Sequence, residues 1–186
     1  ERGLSLLSEC ADREIDVETE VALSAGLGFA YLAEGGYADE RAALALADAE
    51  TRVNGMAPAP AQIGARCMLG VYHWVRGDFG TAEPLLDYAD AELGAGDDPL
   101  LQLAKNWSAG PSQLPLGHLN RGKQILERVI AIYDRETHEP LIALFGHDVG
   151  AGSLTWLSTL EAYAGDLDSS ITHAESGIDL ANQVEH

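Results

Sequence analysis

The chain has 186 residues and a mass of 19.8 kDa, with 30 acidic against 11 basic side chains and a formal net charge of −19. A surface of that sign repels phosphate backbones and anionic lipid, which argues against nucleic-acid and membrane-surface binding. The 46% hydrophobic content can fill a core and separates the chain from charged disordered polymers, and no apolar run has the length of a membrane span or signal peptide.

Alanine and leucine are abundant, β-branched residues are sparse, and apolar positions recur at three- and four-residue spacing. Leu85, Leu86, Ala89 and Leu93 follow this pattern, as do Ile125, Leu126, Val129, Ile130 and Tyr133. Such runs predict amphipathic helices. No stretch of period-two alternation bounded by hairpin turns stands against them, so the expected class is all-α. Cys10 and Cys67 have neither paired metal spacing nor the density of a disulfide scaffold, which fits a reducing cytoplasm. Because the chain opens on Glu1 instead of methionine, it is expected to be a piece of a longer protein.

Single glycines interrupt the helical pattern at Gly35, Gly77, Gly117 and Gly165, each followed two positions later by Tyr37, Phe79, Leu119 or Leu167. Eight residues before each stand Leu27, Leu69, Ala109 and Leu157, and seven before stand Gly28, Gly70, Gly110 and Ser158. Five after come Glu40, Ala82, Gly122 and Ser170; nine after, Leu44, Leu86, Leu126 and Ala174; twelve after, Ala47, Ala89, Val129 and Gly177. Small residues sit where two helices would touch, large ones fill the gap, and the glycine supplies the turn.

In this the chain resembles the tetratricopeptide repeat, a pair of antiparallel helices, at 21–54, 63–96, 103–136 and 151–184. The carriers are Leu27, Gly28, Ala30, Tyr31, Gly35 and Tyr37 in the first repeat and Leu69, Gly70, Gly77, Phe79 and Ala82 in the second. The resemblance implies an all-α, right-handed α-solenoid forming one domain over 1–186. Residues 1–16, with Gly3 to Ala11 at their centre, would be the remnant helix of a preceding repeat. The third repeat is degenerate, because Pro111 and Pro115 fall in its first helix and predict a kink or early stop. The linker after it should hold a helical turn, with Pro140 near its start and Gly146 at its end, before Asp148 caps the next helix. The fourth repeat keeps Leu157, Gly165, Leu167 and Ala174 but has Glu161 where an aromatic is common.

A narrower likeness lies in Ile132-Tyr133-Asp134, His138, and Phe145 to Gly150 leading into Leu154, Trp156 and Leu157. This run is similar to the tetratricopeptide region downstream of ATPase modules in bacterial signalling proteins, some of which also carry an adenylate or guanylate cyclase domain. The likeness implies a regulatory context and transfers no catalytic residue.

Gly117 to Gln124 has the glycine and lysine spacing of a phosphate-binding loop, but Gln124 replaces the hydroxyl that would hold magnesium and Leu114-Pro115-Leu116 is no buried strand. Gly26-Leu27-Gly28 has Tyr31 at the third glycine of a dinucleotide fingerprint, so helix packing explains it better. His138, His147, Asp134 and Asp148 could converge on a metal, but linker hydrogen bonds and capping are the favoured reading. Ser153 lacks a nucleophile elbow, and Cys10 and Cys67 read as buried small apolar residues. The acidic run from Glu9 to Glu20 around Arg13 reads as a solvated face. No catalytic, cofactor or metal residue is therefore assigned, and no enzyme is expected within these residues.

The resemblance also implies that first helices line a concave groove. Its positions here are Phe29, Leu32, Val71, Trp74, Trp107, Leu114, Thr155, Thr159 and Tyr163. Aromatic anchors in a concavity suit a protein or peptide segment that is apolar at its centre and basic at its rim, from another protein or from other domains of the parent chain. A carboxylate clamp for acidic tails is disfavoured, since its positions carry Ala25, Phe29, Cys67 and Val71. The alternative expectation is a regulatory arm that senses a small molecule between helices. An uncapped first repeat would further favour a homodimer.

Overall fold

The computed structural model describes residues 17–36, 39–53, 60–92, 99–138, 142 and 147–183. The expected remnant helix at 1–16, Cys10, and most of the expected turn at 140–146 lie outside the described residues. Among those described, every regular element is a helix: α1 (Val17–Gly35), α2 (Glu40–Val53), α3 (Pro60–Val75), α4 (Phe79–Glu92), α5 (Pro99–Ser112), α6 (Leu119–Ile132), α7 (Arg135–His138), α8 (Val149–Ala164) and α9 (Leu167–Gln183). The long helices pack as neighbouring pairs, α1 with α2, α3 with α4, α5 with α6 and α8 with α9. The chain divides into two compact units, Glu1–Glu92 and Leu93–His186, with two of these hairpins in each.

The hairpin turns are written in glycine. Gly36, Gly77, Gly117 and Gly165 all have φ between 74° and 84°, a conformation that costs other L-residues about 1–2 kcal/mol. At Gly77 the N–H donates to the Trp74 carbonyl and the next N–H, of Asp78, donates to His73, both at 2.9 Å. The same 5→2 and 6→1 pair recurs at Gly117–His118 and Gly165–Asp166. The residue that closes one helix then opens the next. Asp78 and Asp166 accept from the N–H groups of Thr81 and Ser169, and hydrogen bonds from the side chains of those residues, reinforced by the N–H groups, hold both carboxyls below the ordinary carboxylate range.

Helix contact follows the small-against-large logic. A Cβ built on Gly28, Gly70 or Gly110 would stand 2.6 Å from the Leu46, Leu86 or Leu126 side chain of the partner helix. The missing methyl thus lets each leucine seat against bare backbone, where burial of such a side chain contributes about 1.5–3 kcal/mol.

The first hairpin corrects the sequence register. Its left-handed glycine is Gly36, not Gly35, and the residue capping α2 is Asp39, two positions later than the other turns would place it. Counted from Gly35, the buried positions of α2 slide by two, from Glu40, Leu44 and Ala47 to Ala42, Leu46 and Ala49. Ala42, Leu46 and Ala49 are fully buried, whereas Leu44, expected in the core from the glycine spacing, is 73% exposed. Gly35 remains helical and makes room for Asp39, whose carboxylate would lie 2.1 Å from an added Cβ.

Prolines shorten α5 as expected. Pro111 has no N–H to donate, and the chain tightens to three-residue bonds, Gln113 N–H to Gly110 and Leu114 N–H to Pro111, before the turn. The Ala109 carbonyl receives the Ser112 hydroxyl at 2.7 Å in place of a helical N–H.

In the first unit Val21, Ala25, Ala49 and Ala65 form one cluster and Leu46, Leu69, Tyr72 and Leu85 another, with α3 packed on both α1 and α2. In the second unit Leu103, Trp107, Leu126, Val129, Val149, Leu157 and Leu160 bring α5, α6 and α8 together. No helix of the described residues is long and apolar enough to cross a membrane.

Candidate functional site

The expected groove positions fall in four environments. Phe29 and Leu32 on α1 are half-buried and pack against the Leu46–Leu69–Tyr72–Leu85 cluster, so they belong to the joint between α1 and its neighbours. Val71 and Trp74 on α3 are also half-buried. Trp107 is a core side chain at 8% exposure, and Leu114 packs against the same core. Thr155 and Thr159 on α8 donate their hydroxyls to the carbonyls of Ala151 and Thr155 at 2.9 Å, while Tyr163 projects outward at 72% exposure.

Trp107 is held by features the sequence pattern did not reveal. Its ring meets His147 edge-on at 4.9 Å, and a Cβ on Gly152 would come within 2.8 Å of it. Gly150 gives the same room to the Tyr133 ring at 2.7 Å. Two glycines in the first turn of α8 weaken the helix by about 0.5–1 kcal/mol each and are explained by these aromatic seats. The signal available in the sequence was that poor helix composition after Asp148.

Tyr133 donates its hydroxyl to Asp148 Oδ2 at 2.5 Å, and Asp148 Oδ1 accepts the Ala151 N–H to cap α8 as expected. Burial, reinforced by the Asp148 carboxylate, pushes the phenol above its usual range. His138 is buried, stacks on Tyr133, and accepts the Asp134 N–H at Nδ1, while Asp134 caps the short α7 at Thr137. Of the linker groups considered for a metal, Asp134, His138 and Asp148 are engaged in capping and hydrogen bonding, and His147 meets the Trp107 ring. Among the described residues no three His, Cys, Asp or Glu side chains converge as a metal site.

A second polar centre joins three helices. Glu161 on α8, 1% exposed, accepts from Lys123 Nζ of α6 at 2.7 Å and lies 2.7 Å from His173 Nδ1 of α9. The carboxylate raises the Lys123 ammonium above its ordinary value. The glutamate that broke the aromatic repeat position is therefore an interhelical anchor, and the lysine of the phosphate-loop-like run is committed to it. Gly122 of that run lies 3.0 Å, at its Cβ position, from the Gly110 carbonyl, so it serves helix packing.

Surface charges are similarly engaged within hairpins. Asp48 accepts the Ser24 hydroxyl at 2.8 Å and Arg52 Nε at 2.9 Å, and Arg52 also reaches Glu20. Arg41 pairs with Asp39 and Glu34 and covers the Tyr31 ring at 4.5 Å. An open cleft of about 810 Å3 lies between residues 117–121, at the start of α6, and Tyr163 with Ala164, at the end of α8. Ser153 and Cys67 are buried and present no accessible nucleophile.

Fold and site together define an all-α protein of packed helical hairpins in which Asp39, Asp48, Asp78, Asp134, Asp148, Glu161 and Asp166 are engaged in caps or ion pairs. No protein-family model matches the chain, and a search of curated proteins finds none similar to it.

Proposed function

We propose that this chain is a non-catalytic protein–protein interaction scaffold, a tetratricopeptide-like right-handed solenoid that forms the regulatory segment of a larger bacterial signalling ATPase or cyclase and works in the cytoplasm. The observation that carries the binding role is the contrast between committed polar groups and uncommitted apolar ones. Glu161, Asp148, Asp78 and Asp166 are engaged inside the hairpins, whereas Tyr163 and several aliphatic side chains of α9 face solvent. The recurring left-handed glycine and the Gly-against-Leu contacts support the tetratricopeptide reading. The partner is a protein or peptide segment with an apolar centre and a basic rim, since the surface carries −19.

The test is selection from a displayed library of 16-residue peptides, followed by fluorescence anisotropy on the enriched sequences. Enrichment of amphipathic peptides with Lys or Arg flanks, with binding weakened at least tenfold by Trp74→Ala or Tyr163→Ala, supports the groove. Enrichment no better than on heat-denatured protein defeats it. A small-molecule-sensing role is the second reading, favoured by the cleft beside Tyr163. It predicts a metabolite that raises the melting temperature of the parent chain but not of Tyr163→Ala.

A further inference from the structure

The helix α9 carries an apolar stripe that solvent reaches. Leu167, Ile171 and Ile178 are 62%, 58% and 61% exposed, and with Ala174 and Ala181 they recur at alternating four- and three-residue steps along one side of the helix. An adjacent flank, roughly 60–80° round the helix from the stripe, faces α8, through Ser170 opposite Ser158 and Gly177 against Leu154.

The second unit itself contains the covered counterpart of this stripe. Both α6 and α9 begin two residues after a left-handed glycine, Gly117 or Gly165, so Leu119, Lys123, Leu126, Ile130 and Tyr133 correspond to Leu167, Ile171, Ala174, Ile178 and Ala181. On α6 that side is taken by α8. Lys123 reaches Glu161 near one end and Tyr133, just past the helix, sits on Gly150 near the other, so α8 runs antiparallel to α6. On α9 no described helix takes the equivalent side.

We infer that the outer face of α9, Leu167–Ile171–Ala174–Ile178–Ala181, is a docking surface for an amphipathic partner helix with an apolar centre and lysine or arginine flanks. The occupant is set by geometry and charge. Geometry asks for a helix, because a helix fills the equivalent position on α6. Where α6 presents Lys123 to a glutamate, α9 presents Ile171, so the partner places an apolar residue there. The stripe is bordered by Asp168, Glu175 and Asp179, and α9 has no Lys or Arg. A second copy would set these carboxylates against each other, whereas basic flanks complement them. Three large side chains make a small interface, in the size range of transient contacts. The inference rests on the binding-module reading but uses a surface separate from the groove.

The experiment uses the whole chain and three labelled synthetic 17-residue helical peptides in anisotropy titrations. One has a Leu/Ala stripe at three- and four-residue spacing with Lys flanks, one the same stripe with Glu flanks, and one is the scrambled Lys peptide. The Lys-flanked peptide is expected to bind at least tenfold more tightly than either control. The charge-neutral variant Ile171→Ser/Ile178→Ser should lose at least tenfold of that affinity while Leu44→Ser, which removes another exposed aliphatic side chain from α2, leaves it unchanged. Equal binding to the scrambled peptide, or undiminished binding to the serine variant, would overturn the inference as diffuse attraction to an acidic surface. A dimer mass by light scattering that the serine variant abolishes would overturn it in favour of a second copy. Loss through Trp74 or Tyr163 alone would return binding to the groove, leaving the scaffold reading standing without this face.

Discussion

Gly26 and Gly28 lie two residues apart in the same helix, and alanine at each should have opposite effects. Gly→Ala inside a helix gains about 0.5–1 kcal/mol by removing backbone freedom from the unfolded chain. At Gly26 the new methyl meets nothing within 4 Å, so that gain should appear in full. At Gly28 it would stand 2.6 Å from Leu46 Cγ and 2.7 Å from Cδ2, well inside the 3.5–4.0 Å at which carbons attract. Leu46 is fully buried and has little room to retreat, so overpacking of about 1–3 kcal/mol outweighs the helix gain and leaves a net loss of about 0.5–2 kcal/mol. Urea unfolding followed by circular dichroism should separate the two midpoints by about 1 M at a slope typical of small proteins. In a Leu46→Ala background, itself weakened by about 2–5 kcal/mol, the Gly28→Ala penalty should vanish and become a gain. The reasoning fails if Gly28→Ala is as stable as Gly26→Ala, or if its penalty survives removal of Leu46.

Gly165→Ala forces a side chain into φ +84° and should cost about 1–2 kcal/mol by the same assay; a neutral result would show that the turn relaxes. Lys123→Met leaves the buried Glu161 with His173 and should cost about 1–3 kcal/mol, less than a fully buried pair because the lysine is partly solvated, and a further Glu161→Gln change should restore part of the loss. Tyr133→Phe removes a hydrogen bond to a carboxylate and should cost about 1–3 kcal/mol. Because the phenol is raised in the folded state, its contribution is complete below about pH 10 and fades as pH climbs through the higher folded value. Absorbance at 295 nm should show this tyrosine ionising last, and ionisation at an ordinary phenol value in the folded protein would contradict the geometry. The capping carboxylate of Asp166 has the reverse sign. Its value is lowered on folding, so its contribution is full above about pH 4 and is lost as pH falls through the folded value; Asp166→Asn should keep the cap and flatten that acid limb in melting temperature.

Helix class and hairpin turns were legible in the residues because both are local. A three- and four-residue apolar rhythm needs only neighbouring turns, and a single glycine between two helical runs supplies its turn locally. Where the first turn contains Gly35-Gly36, one glycine cannot be told from the other by composition, and the choice moves Leu44 out of the core and Leu46 into it. The expected groove met a similar limit. Trp74, Trp107 and Tyr163 are alike as aromatic residues on first helices, yet Trp107 is enclosed, Tyr163 is open and Trp74 lies between. Only the packing of α8, with Gly152 cut away to admit the indole, separates Trp107 from Tyr163. Glu161 was visible as an exception to a repeat and became intelligible once Lys123 and His173 stood beside it. The stripes on α6 and α9 share one periodicity, but one lies under α8 and the other meets water. A helix's rhythm is set within its own turns, whereas the covering of its face depends on segments distant in the chain.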